Sequence, residues 1–337
     1  MYDICIIGGG VAGCSIAREL CRYQASIVVV EAKSDVCEVS KGNCAVIEAD
    51  AINEDTLKSR YIILGAKTFR AYAGSLSVPF RARSLSFSEP SHEPTPARSL
   101  TSTVINPYDL VFALKENAEA NGVNFLFDFE VKSFEFLDGS ITVRSSSDSV
   151  QAKVVINCAG INGGKIARLL GDLTFLERKQ TVTQNNNLCY VYEYVESTDG
   201  DYIVGKGKRE GIYNVIALGT KGVTASHAIA MSLARSFNLP RRLDFNPVRK
   251  PIVRFKHLSI DEKNALISQN TEFGRVICRC EFVTEAEIVE AVRRGARSAD
   301  GVIKRLGAGS GKCKGYYCRS EIDKIIKREL ERQKEDV

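Results

Sequence analysis

The sequence predicts an α/β protein with a parallel-sheet core at its N-terminus and a small helical module at its C-terminus. Three observations predict it. An apolar strand, a glycine turn, a helix and a second strand open the chain. Strand and helix patterns then alternate to about residue 240. Beyond a proline-bearing basic stretch, four cysteines sit at helix boundaries.

Residues 4–7 are a short apolar run of the kind buried in a parallel sheet. Gly8, Gly10 and Gly13 follow as G-x-G-x-x-G, and Ile16, Ala17 and Leu20 recur at helical spacing. Residues 27–30 form the second strand, ending at Glu31. Gly8 permits the tight turn, Gly10 lets the backbone approach a pyrophosphate, and Gly13 lets helix and strand pack closely. The N–H groups at the helix start favour negative charge. Glu31 is placed to accept hydrogen bonds from a ribose hydroxyl. A lone G-x-G-x-x-G is weak, but strand, glycines, helix, strand and terminal acid together make a Rossmann-like dinucleotide site.

Composition narrows the class. With 44% hydrophobic and 26% charged residues in a chain of 337, a large core and more than one domain are expected. No apolar run is long enough to predict a transmembrane segment. The first residues enter a strand with no signal-like segment before it. Eleven scattered cysteines suggest a reducing compartment rather than a disulfide scaffold, hence a cytoplasmic address. The net charge is +5 and uneven: from Arg241 onward 22 Lys and Arg face 15 Asp and Glu. No nucleic-acid motif accompanies that basic half, so an acidic protein partner suits it better than nucleic acid.

Further along, residues 53–73 place Leu57, Tyr61, Leu64, Phe69 and Tyr72 mostly on one helical face. Residues 75–107 hold five of the eight prolines and show little periodicity, so an irregular surface stretch or a domain remnant is expected. Asn106-Pro107 caps a helix that stops at Asn121-Gly122. Residues 123–127 read as a strand, and residues 130–144 as a hairpin about Asp138-Gly139. Residues 154–157 lead through Cys158-Ala159-Gly160 into a helix. Residues 188–195 alternate as a strand of a second sheet. Residues 213–218, the glycine loop 219–222 and a helix near Val223 repeat the strand–loop–helix plan. Residues 241–272 are expected as linker, between an oxidoreductase domain over 1–240 and a module over 273–337.

In that module Cys278-Arg279-Cys280 and Cys313 to Cys318 form two cysteine pairs. Thr284-Glu-Ala-Glu287 is a capping box that starts one helix, a second follows Ser298, and a third starts at Ser320. Four converging thiolates imply zinc or an iron–sulfur cluster. C-x-C and C-x4-C match the C-x-x-C of zinc sites poorly, whereas the flanking Arg279, Lys312, Lys314 and Arg319 would offset a cluster's negative charge. Unligated cysteines are the third possibility.

From Val276 through Cys318 the chain resembles the bacterioferritin-associated-ferredoxin-like [2Fe-2S] domain. The rest is similar to the FAD-dependent glycerol-3-phosphate dehydrogenases, within the D-amino-acid-oxidase-like flavoproteins, whose anaerobic type joins both modules in one chain. The match is carried by residues 6–31, by Ser40-Lys41-Gly-Asn43, and by residues 106–123, 154–171 and 214–230. The resemblance implies a Rossmann-like FAD-binding domain, a reduced antiparallel β substrate region over about 75–105 and 175–210, and a small helical [2Fe-2S] domain. It implies that Gly8, Gly10, Val11, Ala12, Gly13 and Glu31 hold the ADP half of FAD, with Val131 by the adenine. Ser40, Lys41 and Asn43 would approach the flavin, Ala159 and Gly160 the pyrophosphate, and Gly222, Val223 and Thr224 the isoalloxazine. Cys278, Cys280, Cys313 and Cys318 would hold the cluster.

The chain departs from the family pattern in three ways. It is shorter in the substrate region, Ala217 stands where a glycine is usual, and the Arg-Pro segment before the second flavin loop is absent. The expected activity is oxidation of a small hydroxy substrate, foremost sn-glycerol 3-phosphate, with electrons leaving through the cluster to a quinone, a ferredoxin or a partner subunit. The alternatives are an electron-transfer subunit without substrate chemistry, an amine or amino-acid dehydrogenase, and NAD with zinc. No catalytic base is named: His92 and His257 read as surface residues, and His227 is a weak candidate. Arg81, Arg83, Arg98, Lys206 and Lys208 are the available cations for a phosphate.

Overall fold

The computed structural model describes residues 1–36, 46–47, 56–87, 98–172, 176–185 and 188–335. It divides into two compact units, Met1–Arg249 and Lys250–Val337.

In the first unit the chain runs β1 (Tyr2–Ile7), α1 (Val11–Leu20), β2 (Ile27–Val30), β3 (Val46–Ile47), α2 (Leu57–Ser75), β4 (Phe80–Phe87) and β5 (Arg98–Ile105). It continues through α3 (Pro107–Ala120), β6 (Asn124–Leu126), β7 (Ser133–Leu137), β8 (Ser140–Arg144), β9 (Ser149–Asn157) and α4 (Gly163–Leu169). β10 (Leu176–Asn185), β11 (Leu188–Ser197), β12 (Ile203–Lys206), β13 (Ile212–Ile216) and α5 (Gly222–Ser236) complete it.

The main sheet has the order β12-β13-β9-β1-β2-β6, with β7 and β8 joining at β9. β1 is parallel to both β2 and β9, in registers Ile6↔Val29 and Ile6↔Ile156. The connections from β1 run outward to β2 and β6 on one side, while β9 and β13 fill the other. Such a switch point opens a crevice at the strands' carboxyl ends. The run of residues 4–7 is apolar throughout because both faces are covered. Ile4 and Ile6 pack with Ile16, Leu20 and Ile229, and Cys5 and Ile7 with Val131, Val143 and Val155. Each such side chain contributes about 1.5–3 kcal/mol on burial.

Helix ends follow the sequence. Thr56 accepts from Ser59 N–H to cap α2, and Asn106 accepts from Tyr108 N–H ahead of Pro107 to cap α3. The stretch 75–107, expected as irregular or a domain remnant, instead supplies β4 and β5, an antiparallel pair in register from Phe80↔Ile105 to Phe87↔Arg98. Alternation is hard to read there because Arg and Ser occupy half the positions of β4. With β3 these form a three-stranded sheet, and β10 pairs with β11 as a separate antiparallel ribbon. This is the reduced antiparallel region.

The second unit contains α6 (Ile260–Gln269), β14 (Val276–Cys278), β15 (Val283–Thr284), α7 (Glu285–Arg293), α8 (Ala299–Leu306) and α9 (Arg319–Glu335). Its core joins Val283, Ile288, Val292, Val302 and Leu306 to Ile322, Ile325 and Ile326. Thr284 and Glu287 make the expected capping box. α6 lies in the stretch expected as linker; its own capping box, Ser259 with Glu262, was the missed signal. Among the described residues no helix is long and apolar enough to cross a membrane.

Candidate functional site

A cleft of about 370 Å³ opens at the carboxyl ends of β1, β2, β9 and β13. Each strand delivers one wall: Gly8 after β1, Glu31 after β2, Cys158 to Gly160 after β9, and Ala217 to Gly219 after β13. Gly8 takes a φ of +108°, and a Cβ on it would lie 2.6 Å from the Cys158 carbonyl oxygen. A Cβ on Gly13 would lie 1.9 Å from the Gly8 carbonyl oxygen. No larger residue fits either place without moving backbone. Gly10 caps α1 without a side chain, and no acid occupies the first turn. That helix start suits the phosphates of a dinucleotide.

The expected residues separate into three groups. Gly8, Gly10, Val11, Ala12, Glu31, Val131, Ala159, Gly160 and Gly222 line the cleft. Gly13, Val223 and Thr224 do not: Gly13 serves the close packing of the turn, and Val223 and Thr224 are each 1% exposed within α5. Ser40, Lys41 and Asn43 lie outside the described residues, as do His92, Cys37 and Cys44. Of the cations proposed for phosphate, Arg81, Lys206 and Lys208 are not among the cleft's lining residues. Lining residues that sequence reading missed include Lys33, Glu130, Lys165 and Tyr194. Lys33 and Glu130 come from loops, Lys165 from α4 and Tyr194 from β11, and their convergence is a long-range fact with no local signal.

Glu31 has a second task. Its carboxylate accepts from Gly9 N–H at 2.6 Å and from Lys33 N–H at 3.0 Å, tying the glycine turn to the end of β2. Behind the β9 loop lies a buried polar chain. Asn157 Nδ2 donates to Asn214 Oδ1 and to the Gly163 carbonyl, both at 2.9 Å. Asn157 Oδ1 accepts from Ala159 N–H at 3.2 Å, and Asn214 Nδ2 donates to Asp172 Oδ2 at 2.7 Å. Asp172 also accepts from Lys208 N–H at 2.7 Å. These side chains are buried yet satisfied, and they hold Ala159 at the cleft wall.

His227 does not line the cleft. It is 2% exposed between α5 and α2, with Nε2 against Thr68 Oγ1 and its ring stacked on Tyr72 at 4.5 Å. Burial, then the Arg18 charge, push its pKa down to about 4. It is a neutral packing residue. His257 is exposed. Cys5, Cys14, Cys21 and Cys158 are buried, and burial pushes the Cys5 and Cys21 thiols up to about 12.

In the second unit the four cysteines fall into two pairs. Cys280 and Cys313 bring their sulfurs to 3.5 Å, and Cys278 and Cys318 lie together in the unit's hydrophobic core. Gly309 N–H donates to Cys278 Sγ at 3.4 Å. The Cys313 thiol is held below its ordinary pKa by Cys280 and by backbone N–H groups of Gly315, Tyr317 and Tyr316. A Cβ on Gly311 would lie 2.4 Å from Cys280 Cβ, so a glycine is required there. Among the described residues no group of three or more His, Cys, Asp or Glu is arranged for one metal ion. Two thiol pairs with amide donors at the sulfurs fit a two-iron cluster held by two thiolates per iron.

Comparison with known proteins finds two family models along the chain. A family model described as FAD dependent oxidoreductase matches residues 3–87 and 89–189, and a BFD-like [2Fe-2S] binding domain matches residues 276–328. The chain is 27% identical over 455 residues to a glycerol 3-phosphate dehydrogenase of Caloramator mitchellensis, covering 98% of this chain and 95% of that protein. A glycerol 3-phosphate oxidase of Mycoplasma genitalium is 39% identical over 67 residues, 19% of this chain and 17% of its own. Among solved structures, dithionite-reduced L-alpha-glycerophosphate oxidase from Mycoplasma pneumoniae with FAD bound has a TM-score of 0.62 at 17% identity, over 75% of this chain and 99% of that one. Glycine oxidase from Geobacillus kaustophilus has a TM-score of 0.61 at 12% identity, over 73% and 96%. The structural likenesses speak for the fold. With its cofactors FAD and a [2Fe-2S] cluster, the chain belongs to the FAD dependent oxidoreductase family.

Proposed function

We propose that the protein is a dehydrogenase that oxidises sn-glycerol 3-phosphate and passes the electrons out through its cluster to a quinone, a ferredoxin or a partner subunit. The observation that carries this reading is the similarity to a glycerol 3-phosphate dehydrogenase along 98% of the chain. FAD bound in the cleft would accept a hydride from the substrate carbon, and the cluster would carry electrons singly. This chain's residues would bind and orient. Gly8, Gly10, Val11, Ala12 and Glu31 hold the ADP half, Val131 stands by the adenine, and Ala159 and Gly160 lie by the pyrophosphate. Gly222 reaches the flavin end, with Val223 and Thr224 acting from behind it through packing. Cys278, Cys280, Cys313 and Cys318 hold the cluster. The expected domain division and a cytoplasmic address belong to the same reading.

A second reading has one observation in its favour. The alignment to the relative spans 455 positions against a chain of 337 residues, so the relative carries segments that this chain lacks. An electron-transfer subunit that has lost substrate chemistry would look like this. Anaerobic stopped-flow with sn-glycerol 3-phosphate, glycine and other small hydroxy and amino acids separates the two. Bleaching of the flavin band by glycerol phosphate supports the first; bleaching by none, in protein that accepts electrons from a reduced partner, supports the second. Cys280→Ser should remove iron and sulfide and leave FAD bound, since the two sites lie in separate units.

A further inference from the structure

The cysteine site has an inner and an outer edge. Cys278 and Cys318 are 1% and 2% exposed and belong to the unit's hydrophobic core. Cys280 is exposed, and Cys313 is half-buried beside it. An electron crosses short gaps far faster than long ones, so the outer pair marks the edge open to a partner.

The side chains around that edge combine exposed cations with exposed aromatic rings. Several other cations of the unit are paired: Arg275 and Arg328 with Glu285, Arg294 with Glu290, Lys256 with Glu281. Arg279, Lys312 and Lys314 are exposed, and among the described residues none makes an ion pair. Tyr316 and Tyr317 stand beside them, 83% and 77% exposed, edge to face at 5.0 Å. Tyr316 N–H donates to the Cys313 carbonyl at 3.0 Å, while both rings face solvent. Exposed tyrosines beside unpaired cations are what a protein–protein contact uses: aromatic anchors for affinity and charge for steering.

We infer that Arg279, Lys312, Lys314, Tyr316 and Tyr317 form the docking face for an acidic redox protein that exchanges single electrons at the outer sulfurs. Each encounter moves one electron from the reduced site to the partner's oxidised centre, with no bond made or broken. This rests on the reading that electrons leave through the cluster, and it narrows the acceptor from a quinone or a partner subunit to a small acidic protein. The same cations would also offset a cluster's charge, but that role alone asks for no exposed aromatic pair.

The test uses the full chain loaded with both cofactors, titrated calorimetrically with a purified plant-type [2Fe-2S] ferredoxin as the acidic probe. A complex should form whose affinity falls steeply between about 0.05 and 0.3 M salt. R279E/K312E/K314E should weaken it at least about tenfold with the visible spectrum unchanged. Y316A/Y317A should weaken it about tenfold and leave the salt dependence intact. If charge reversal lowers iron loading, R279Q/K312Q/K314Q carries the same test. Absence of a complex overturns the inference. So does binding that no variant weakens, or a charge variant that loses phosphatidylglycerol vesicles while keeping ferredoxin. Binding is read without substrate, so a failure of glycerol phosphate to bleach the flavin is a separate result. Iron and sulfide analysis of the same sample tells loss of the cluster from loss of the face.

Discussion

Gly65 of α2 and Thr224 of α5 meet backbone to backbone: a Cβ on Gly65 would lie 2.0 Å from the Thr224 carbonyl oxygen. This contact seats α5, whose first residue, Gly222, lines the cleft. Gly65→Ala should therefore push α2 and α5 apart at a cost of about 1–3 kcal/mol. FAD retention after gel filtration and the urea midpoint should both fall, although Gly65 does not line the cleft. An unchanged midpoint would show that the helices yield freely.

Asp172 anchors the polar chain behind the β9 loop. Asp172→Ala leaves Asn214 Nδ2, which is buried, and Lys208 N–H, which is part-buried, without their acceptor. A loss of about 1–3 kcal/mol is expected, from the one buried donor left unmet. Asp172→Asn should recover part of it, since one amide oxygen still accepts. Denaturant titration of the three proteins measures the difference.

Ala217 lies in the left-handed region at φ 63°, is 3% exposed and lines the cleft. A Cβ there opposes the following carbonyl by about 1–2 kcal/mol. Ala217→Gly should raise stability by about 1 kcal/mol after the entropy of glycine in the unfolded chain is subtracted. A higher urea midpoint with an unchanged slope is the expected result.

His227 makes stability depend on pH. Its folded pKa is about 4 against an ordinary 6.5, so the folded state holds it neutral while the unfolded chain takes up a proton. The contribution is complete above about 6.5 and is lost as the pH falls toward about 4, at a slope on the order of 1 kcal/mol per pH unit. His227→Gln should flatten the profile in that window. Unfolding midpoints of both proteins between those limits provide the check, and parallel profiles would refute it.

Local patterns wrote much of this molecule into its sequence. The strand–glycine–helix–strand opening, the caps at Asn106 and Thr284 and the two cysteine pairs each depend on residues within one or two turns of each other. Those signals survive without tertiary context because hydrogen bonding and φ preference act locally. They sufficed to name the two cofactors, FAD and a [2Fe-2S] cluster. The capping box at Ser259 is equally local.

What only the tertiary structure decided is which residues face which. Thr224 and Val223 follow Gly222 directly, yet helix periodicity turns them into the α2 contact and away from the cleft. His227 sits one turn further on and is buried against Tyr72. Lys165 and Tyr194 reach the cleft from α4 and β11, and the Asn157–Asn214–Asp172 chain joins a strand, its neighbour and a distant loop. Burial and pairing across such separations arise from the packing of whole elements, which residue spacing along one segment does not encode.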